Sequence, residues 1–316
     1  MKILKMILMS LGFIAVCAVS IQAVQDGPQS IEEIEKTENK VSGDYKINAT
    51  AVPENLKFAG ETVPLEDPDV YERMDRELLV NAYWHSNTLL LLKRAEKYFP
   101  VIEPILKEMG VPDDLKYIAV IESSLTQAVS PAGARGIWQF MEGTGKDYNL
   151  EINDNVDERY HVEKSTRVAA KYLKKSKERF GSWTLAAAAY NAGNTGITRQ
   201  LERQKVNDYF DLLLGEETGR YVFRIFAIKE IMENPEKYGF HFSQDDLYKH
   251  IPTTSVKVSY PVEDFADFAK EHGISYKILK LHNPWLREAN LNNNSGKVYE
   301  IEIPVKGSYP YTPSGK

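Results

Sequence analysis

The 316-residue chain is predicted to be mainly α-helical, with a small β-α-α-β unit near its C-terminus. Apolar residues recur at helical spacing between about residues 66 and 234, and no alternating run of strand length interrupts them. Period-two alternation appears only near 253–262 and 298–303, on either side of two short helical patterns. The length fits about two domains.

The first element in order is not part of the fold. Residues 1–23 carry Lys2 and Lys5, an apolar run from Met6 to Val19, and small Ala23 before a plausible cut, which is the form of a secretory signal peptide. The run is shorter than a spanning helix needs, so cleavage is preferred over a retained membrane attachment. Lipoprotein anchoring through Cys17 is the lesser alternative, because Val16 before it is bulky. Cleavage would remove the one cysteine and take the net charge from -6 to -8. The protein is therefore expected to be exported, periplasmic or envelope-associated.

Residues 24–62 read as a flexible linker; their first part, to about 55, is polar and short of large apolar side chains. A helical domain is expected over 63–245. Leu78, Leu79, Ala82, Leu89, Leu90 and Leu92 predict one helix from Asp69 to Lys97, broken at Tyr98-Phe99-Pro100, and then a short helix from Val101 to Met109. Pro112-Asp113-Asp114 opens the next, with acid at its positive end. Gly and Pro punctuate the rest. The β-α-α-β unit is placed at 250–306, with strands at 253–262 and 298–303, helices at 263–272 and 275–281, and a tail over 307–316.

Composition excludes several functions. The chain is acidic, with a pI of about 5.7, a poor match to sequence-independent nucleic-acid binding. One cysteine excludes a disulfide framework, and the six scattered histidines form no metal-binding pair, so no metal or other cofactor is expected. The run DNVDER at 154–159 lacks the glycine and terminal acid of a calcium loop and reads as a turn into a helix.

One acid stands out. Leu115, Ile118, Ala119 and Leu125 share a helix face, and Glu122 falls on it at i+7. A carboxylate there either pairs with a base or keeps its proton near neutrality, and the second state suits a general acid. Ser123 and Ser124 end that helix. The small residues of 130–136 form a loop that lets backbone approach a ligand or a helix, and a helix is expected to start at Ile137-Trp138-Gln139-Phe140-Met141. The helix TLAAAAYN stops at Ala192-Gly193 and leaves Tyr190 and Asn191 at its end.

These segments together resemble the ordered motifs of family 1 lytic transglycosylases. They are Glu122-Ser123, then Ser130-Pro-x-Gly-Ala-x-Gly-Ile-Trp-Gln139-Phe-Met141, then Ala189-Tyr190-Asn191-Ala-Gly193, then Glu217-Thr-x-x-Tyr221-Val. Flanking segments are similar to the membrane-bound lytic murein transglycosylase D type, and the C-terminal unit is similar to a LysM module. The resemblance implies a lysozyme-like (goose-type) helical catalytic domain acting on peptidoglycan glycan strands. It implies that Glu122 is a single general acid/base, with the substrate's own acetamido group and 6-hydroxyl giving 1,6-anhydromuramyl ends. It also implies that Ser123, Ser130, Gln139, Met141, Tyr190, Asn191, Glu217 and Tyr221 line the substrate site. The chain departs from the usual pattern at Glu142, where proline is common, at the loop 192–196, and in the Asn-rich stretch 290–294. A hydrolytic muramidase and a non-catalytic wall-binding protein are the competing readings. The separate C-terminal pattern further predicts that deleting 250–316 weakens binding to insoluble murein more than turnover of short soluble glycans.

Overall fold

The structure is a computed structural model that describes residues 47–309. The signal-peptide reading, Cys17, most of the linker and the last residues of the tail lie outside the described residues. Residues from Thr50 onward pack as one unit.

That unit begins earlier than composition suggests. Strands β1 (Lys57–Phe58) and β2 (Glu61–Thr62) form a hairpin, and Ala59 and Gly60 both have positive φ, as its two-residue turn requires. Phe58 is fully buried and its ring lies 5.2 Å from that of Phe226. Residues 56–62, assigned to the linker, thus belong to the fold, because one aromatic and one aliphatic side chain suffice to anchor them.

The helical body contains α1 (Pro68–Tyr83), α2 (His85–Glu108), α3 (Lys116–Ser123), α4 (Glu142–Asp147), α5 (Val162–Phe180), α6 (Trp183–Ala192), α7 (Asn194–Gln204) and α8 (Glu216–Glu233). Asp67 starts α1 by accepting from the backbone N–H groups of Asp69 and Val70. The expected helix over 69–97 breaks at Trp84 instead of at Pro100. Thr88 donates its hydroxyl to the Asn81 carbonyl at 2.6 Å, which satisfies an orphan acceptor at the end of α1. Helix α2 runs through Pro100 and Pro104. Both are exposed and four residues apart, so the backbone carbonyls that lose their partners face water.

Helix α8 is the core. Val222, Phe223, Ile225, Phe226, Ala227 and Ile228 are inaccessible or nearly so, and the helix packs on α1, α3 and α6. Glu61 caps α6: its carboxylate accepts from the backbone N–H groups of Trp183 at 2.6 Å and Thr184 at 2.9 Å. Burial raises its pKa, but these bonds with those from the Thr184 hydroxyl and Lys177 outweigh it and hold the pKa below the usual range. Between residues 66 and 234 the described residues hold isolated β-bridges only, Val129 with Arg135, Arg135 with Phe140, Ile152 with Asp157, and Val156 with Leu286 of the C-terminal unit.

The C-terminal unit has strands β3 (Thr253–Val258) and β4 (Tyr299–Pro304), paired antiparallel, and helices α9 (Phe265–Glu271) and α10 (Tyr276–His282). Asp264 and Ser275 cap the two helices, as their positions before each apolar run predict. Its hydrophobic core is separate from the helical one, yet it includes Val156 and Tyr160 from the loop before α5.

Candidate active site

Glu122 lies one residue from the end of α3. Ser124 caps that helix in the left-handed conformation, and Leu115, Ile118, Ala119 and Leu125 are all buried. The face pattern therefore places Glu122 against the core. Burial, the largest influence, raises its pKa from 4.5 to about 7; the charge of Glu217 adds to this, and the hydrogen bond from Tyr221 opposes it. The Tyr221 hydroxyl donates to Glu122 Oε1 at 2.6 Å. Among the described residues no lysine or arginine pairs with Glu122. Of the two outcomes open to this acid, the structure therefore takes the protonatable one.

Tyr221 comes from the second turn of α8 and is itself buried. Tyr190 approaches from the last turns of α6, where four alanines let neighbouring helices come close. Its ring packs with Trp138, Phe140 and Tyr172, and burial followed by the charge of Glu122 pushes its hydroxyl well above the usual range. That hydroxyl donates to the Trp138 carbonyl at 2.8 Å. Asn191 accepts from the Thr218 hydroxyl at 2.9 Å, a contact that joins α6 to α8. Glu217 is exposed at the start of α8 and acts on Glu122 through space.

The expected helix at 137–141 is absent; residues 136–139 are a turn, Phe140 bridges Arg135, and α4 starts at Glu142. Gln139 has φ of 51° and its amide nitrogen donates to the carbonyls of Gly136 and Ala128. Such an amide competes with the helical ladder and wins here. Ser130 Oγ accepts from the Ala134 N–H, and Ser123 Oγ donates to the Ile137 carbonyl at 2.8 Å. Ser123, Ser130 and Gln139 therefore shape the 130–140 loop and bond it to the end of α3. Met141 is exposed at the loop's end.

Two residues with no assigned role stand behind this loop. Asp157 and Arg159, 1 % and 2 % exposed, form a fork at 2.9 and 2.8 Å. Arg159 Nη1 also donates to the carbonyls of Gly133 and Phe140. DNVDER reads in sequence as a turn into a helix, and the one mark of a buried fork there is an Asp-x-Arg pair set between apolar Val156 and Tyr160.

A mainly helical body that holds a buried glutamic acid at the end of α3, with a small-residue loop bonded to that helix, has the character of a lysozyme-like domain, joined here to a β-α-α-β unit. Residues 99–212 match the family described as "Transglycosylase SLT domain", and residues 254–307 match "Soluble lytic transglycosylase C-terminal LysM-like domain". The chain thus carries an SLT transglycosylase domain followed by a LysM-like domain. It is 31% identical over 258 residues to membrane-bound lytic murein transglycosylase D of Escherichia coli strain K12, covering 79% of this chain and 55% of that protein. The protein of the same name from Escherichia coli O6:H1 matches to the same extent. The chain spans about half the length of these curated relatives. A solved structure of an inactive mutant of lytic transglycosylase Slt from Pseudomonas aeruginosa superposes with a TM-score of 0.38 at 21% identity, covering 48% of this chain and 26% of that one.

Proposed function

We propose that the protein is a peptidoglycan lytic transglycosylase of the bacterial envelope that cleaves the β-1,4 bond between N-acetylmuramic acid and N-acetylglucosamine. The observation that carries this reading is Glu122, held protonatable near neutrality by burial and bonded to a single tyrosine hydroxyl. A group poised at about pH 7 can give a proton to a leaving oxygen and take one back.

In this reading Glu122 protonates the glycosidic oxygen. The substrate's acetamido group stabilises the cationic centre, as in substrate-assisted glycosidases. The carboxylate then removes the proton of the muramyl 6-hydroxyl as that oxygen attacks C1, and a 1,6-anhydro ring closes without water. Tyr221 steadies the carboxylate form between the two proton transfers. Gln139, Ser130, Met141, Tyr190 and Asn191 present the loop and helix ends to the sugar. Glu217 is exposed and orients rather than transfers protons. The leader at 1–23 supports export.

Mass spectrometry of murein digests tests the reading. Anhydromuramyl ends are expected; hydrated reducing ends would make the protein a muramidase. Glu122→Gln keeps the side-chain volume and removes the proton. It is expected to lower murein clearing by at least about a hundredfold with folding retained, in line with the loss of a general acid. Equal clearing by the wild type and this variant would remove Glu122 from the mechanism.

A further inference from the structure

The C-terminal unit is fastened to the segment 151–161 that leads into α5. The backbone N–H of Asp157 donates to the Trp285 carbonyl at 2.9 Å, and that of Arg287 donates to the Asn155 carbonyl at 2.8 Å. Trp285 stacks on His161 with ring centres 5.6 Å apart, and the Arg287 guanidinium lies 4.2 Å from the centre of the Tyr160 ring. Lys297 and the Tyr299 hydroxyl both reach Glu151.

From the same segment a second set of bonds runs the other way. Asp157 and Arg159 form the buried fork, and the Arg159 guanidinium holds the carbonyls of Gly133 and Phe140 in the 130–140 loop. Arg135 also reaches Asp157, at 3.4 Å. The backbone is equally close: a Cβ built on Gly136 would lie 2.0 Å from the Arg159 carbonyl oxygen. The loop then touches the acid's helix, through Ser123 Oγ on the Ile137 carbonyl.

A buried ion pair costs desolvation that its attraction rarely exceeds, so its presence is better explained by the arrangement it enforces. We propose that Arg159 is a positioning residue. It ties the glycan-facing loop to the seated C-terminal unit, so that seating of that unit sets the geometry in which Glu122 meets a sugar. The proposal rests on the lytic-transglycosylase reading only for its catalytic consequence; the mechanical tie stands apart from it.

The test uses the full chain and two readouts. The first is amide hydrogen exchange in Trp285→Leu and in the milder Arg287→Gln. Exchange of the 133–139 amides is expected to rise about tenfold in both, as local opening becomes easier, while the α8 amides stay as in the wild type. Unchanged loop exchange in both variants overturns the proposal, whatever the enzyme does. The second readout is kcat/KM on short soluble glycan strands. Arg159→Lys keeps the charge and loses the fork. It and Trp285→Leu are each expected to lower kcat/KM about tenfold or more, since small misplacements are costly. The activity midpoint near pH 7 should remain in both. Combined, the two losses are expected to fall well short of their product, as for residues acting through one network. Losses that multiply, or native turnover in either single variant, overturn the tie between unit and chemistry. A wild type that cleaves no glycan at all refutes the functional reading and leaves the exchange result to decide the tie.

Discussion

Glu122 carries opposing influences on its proton, and each comes from a nameable neighbour. Burial and Glu217 favour the neutral acid, while the Tyr221 hydroxyl favours the carboxylate. If the neutral form is needed at bond breaking, activity falls as pH rises through about 7. Tyr221→Phe removes the one donor and leaves the burial intact, so the alkaline limb is expected to move to higher pH. Glu217→Gln removes a negative charge, so the same limb is expected to move to lower pH. Rate profiles of the two variants against the wild type check both directions, and shifts of the same sign in both would contradict this account. The acid was legible in the sequence because helix periodicity is a strong signal, and a charged residue on an apolar face violates it. The roles of Ser130 and Gln139 were less legible. Their hydrogen bonds go to backbone carbonyls and N–H groups within the loop, and such partners leave no side-chain pattern to read.

The 130–140 loop replaces an expected helix, and two of its glycines show why. Gly136 has φ of +79° and no room for a side chain, because the Arg159 carbonyl stands where a Cβ would go. Gly133 has φ of +89° but open space around it. Alanine at Gly133 therefore meets backbone strain alone, a cost of about 1 kcal/mol. Alanine at Gly136 meets strain and a backbone clash, and is expected to cost at least about 2–3 kcal/mol. Thermal unfolding of the two variants checks the order, and equal losses would mean that the Arg159 segment can move aside. At the scale of elements, caps and apolar spacing gave the helix boundaries of α6, α9 and α10. The exceptions have physical causes. The break at Trp84 depends on the Thr88 hydroxyl meeting the Asn81 carbonyl across seven residues, and Pro100 and Pro104 are tolerated because they face solvent. Neither condition is visible to a reading that treats proline as a stop and threonine as neutral.

At the scale of the whole molecule, the two hydrophobic cores follow the two composition regimes, and the exception is the seam between them. Val156 and Tyr160 lie in the helical part of the chain and complete the core of the C-terminal unit. Cross-regime packing of this kind leaves no local periodicity, so the unit reads from sequence as a detachable appendage. With the shared core in place, removing 250–316 would uncover those two side chains, and truncation is expected to lower turnover of soluble glycans as well as binding to murein. The seam also carries a proton linkage. Burial against Trp285, and then the charge of Lys164, push the His161 pKa from 6.5 down to about 3. The folded protein thus holds the ring neutral where an unfolded chain would protonate it. Between about pH 6.5 and 3 the unfolded state binds the extra proton, so stability present above that window is lost as the solution is acidified, by up to about 1.4 kcal/mol per pH unit. His161→Phe keeps an aromatic ring on Trp285 and cannot take a proton. Melting temperatures measured from pH 7 to pH 4 are expected to fall less steeply for this variant than for the wild type. Parallel slopes would show that the ring is reached by solvent and that the seam is open in solution.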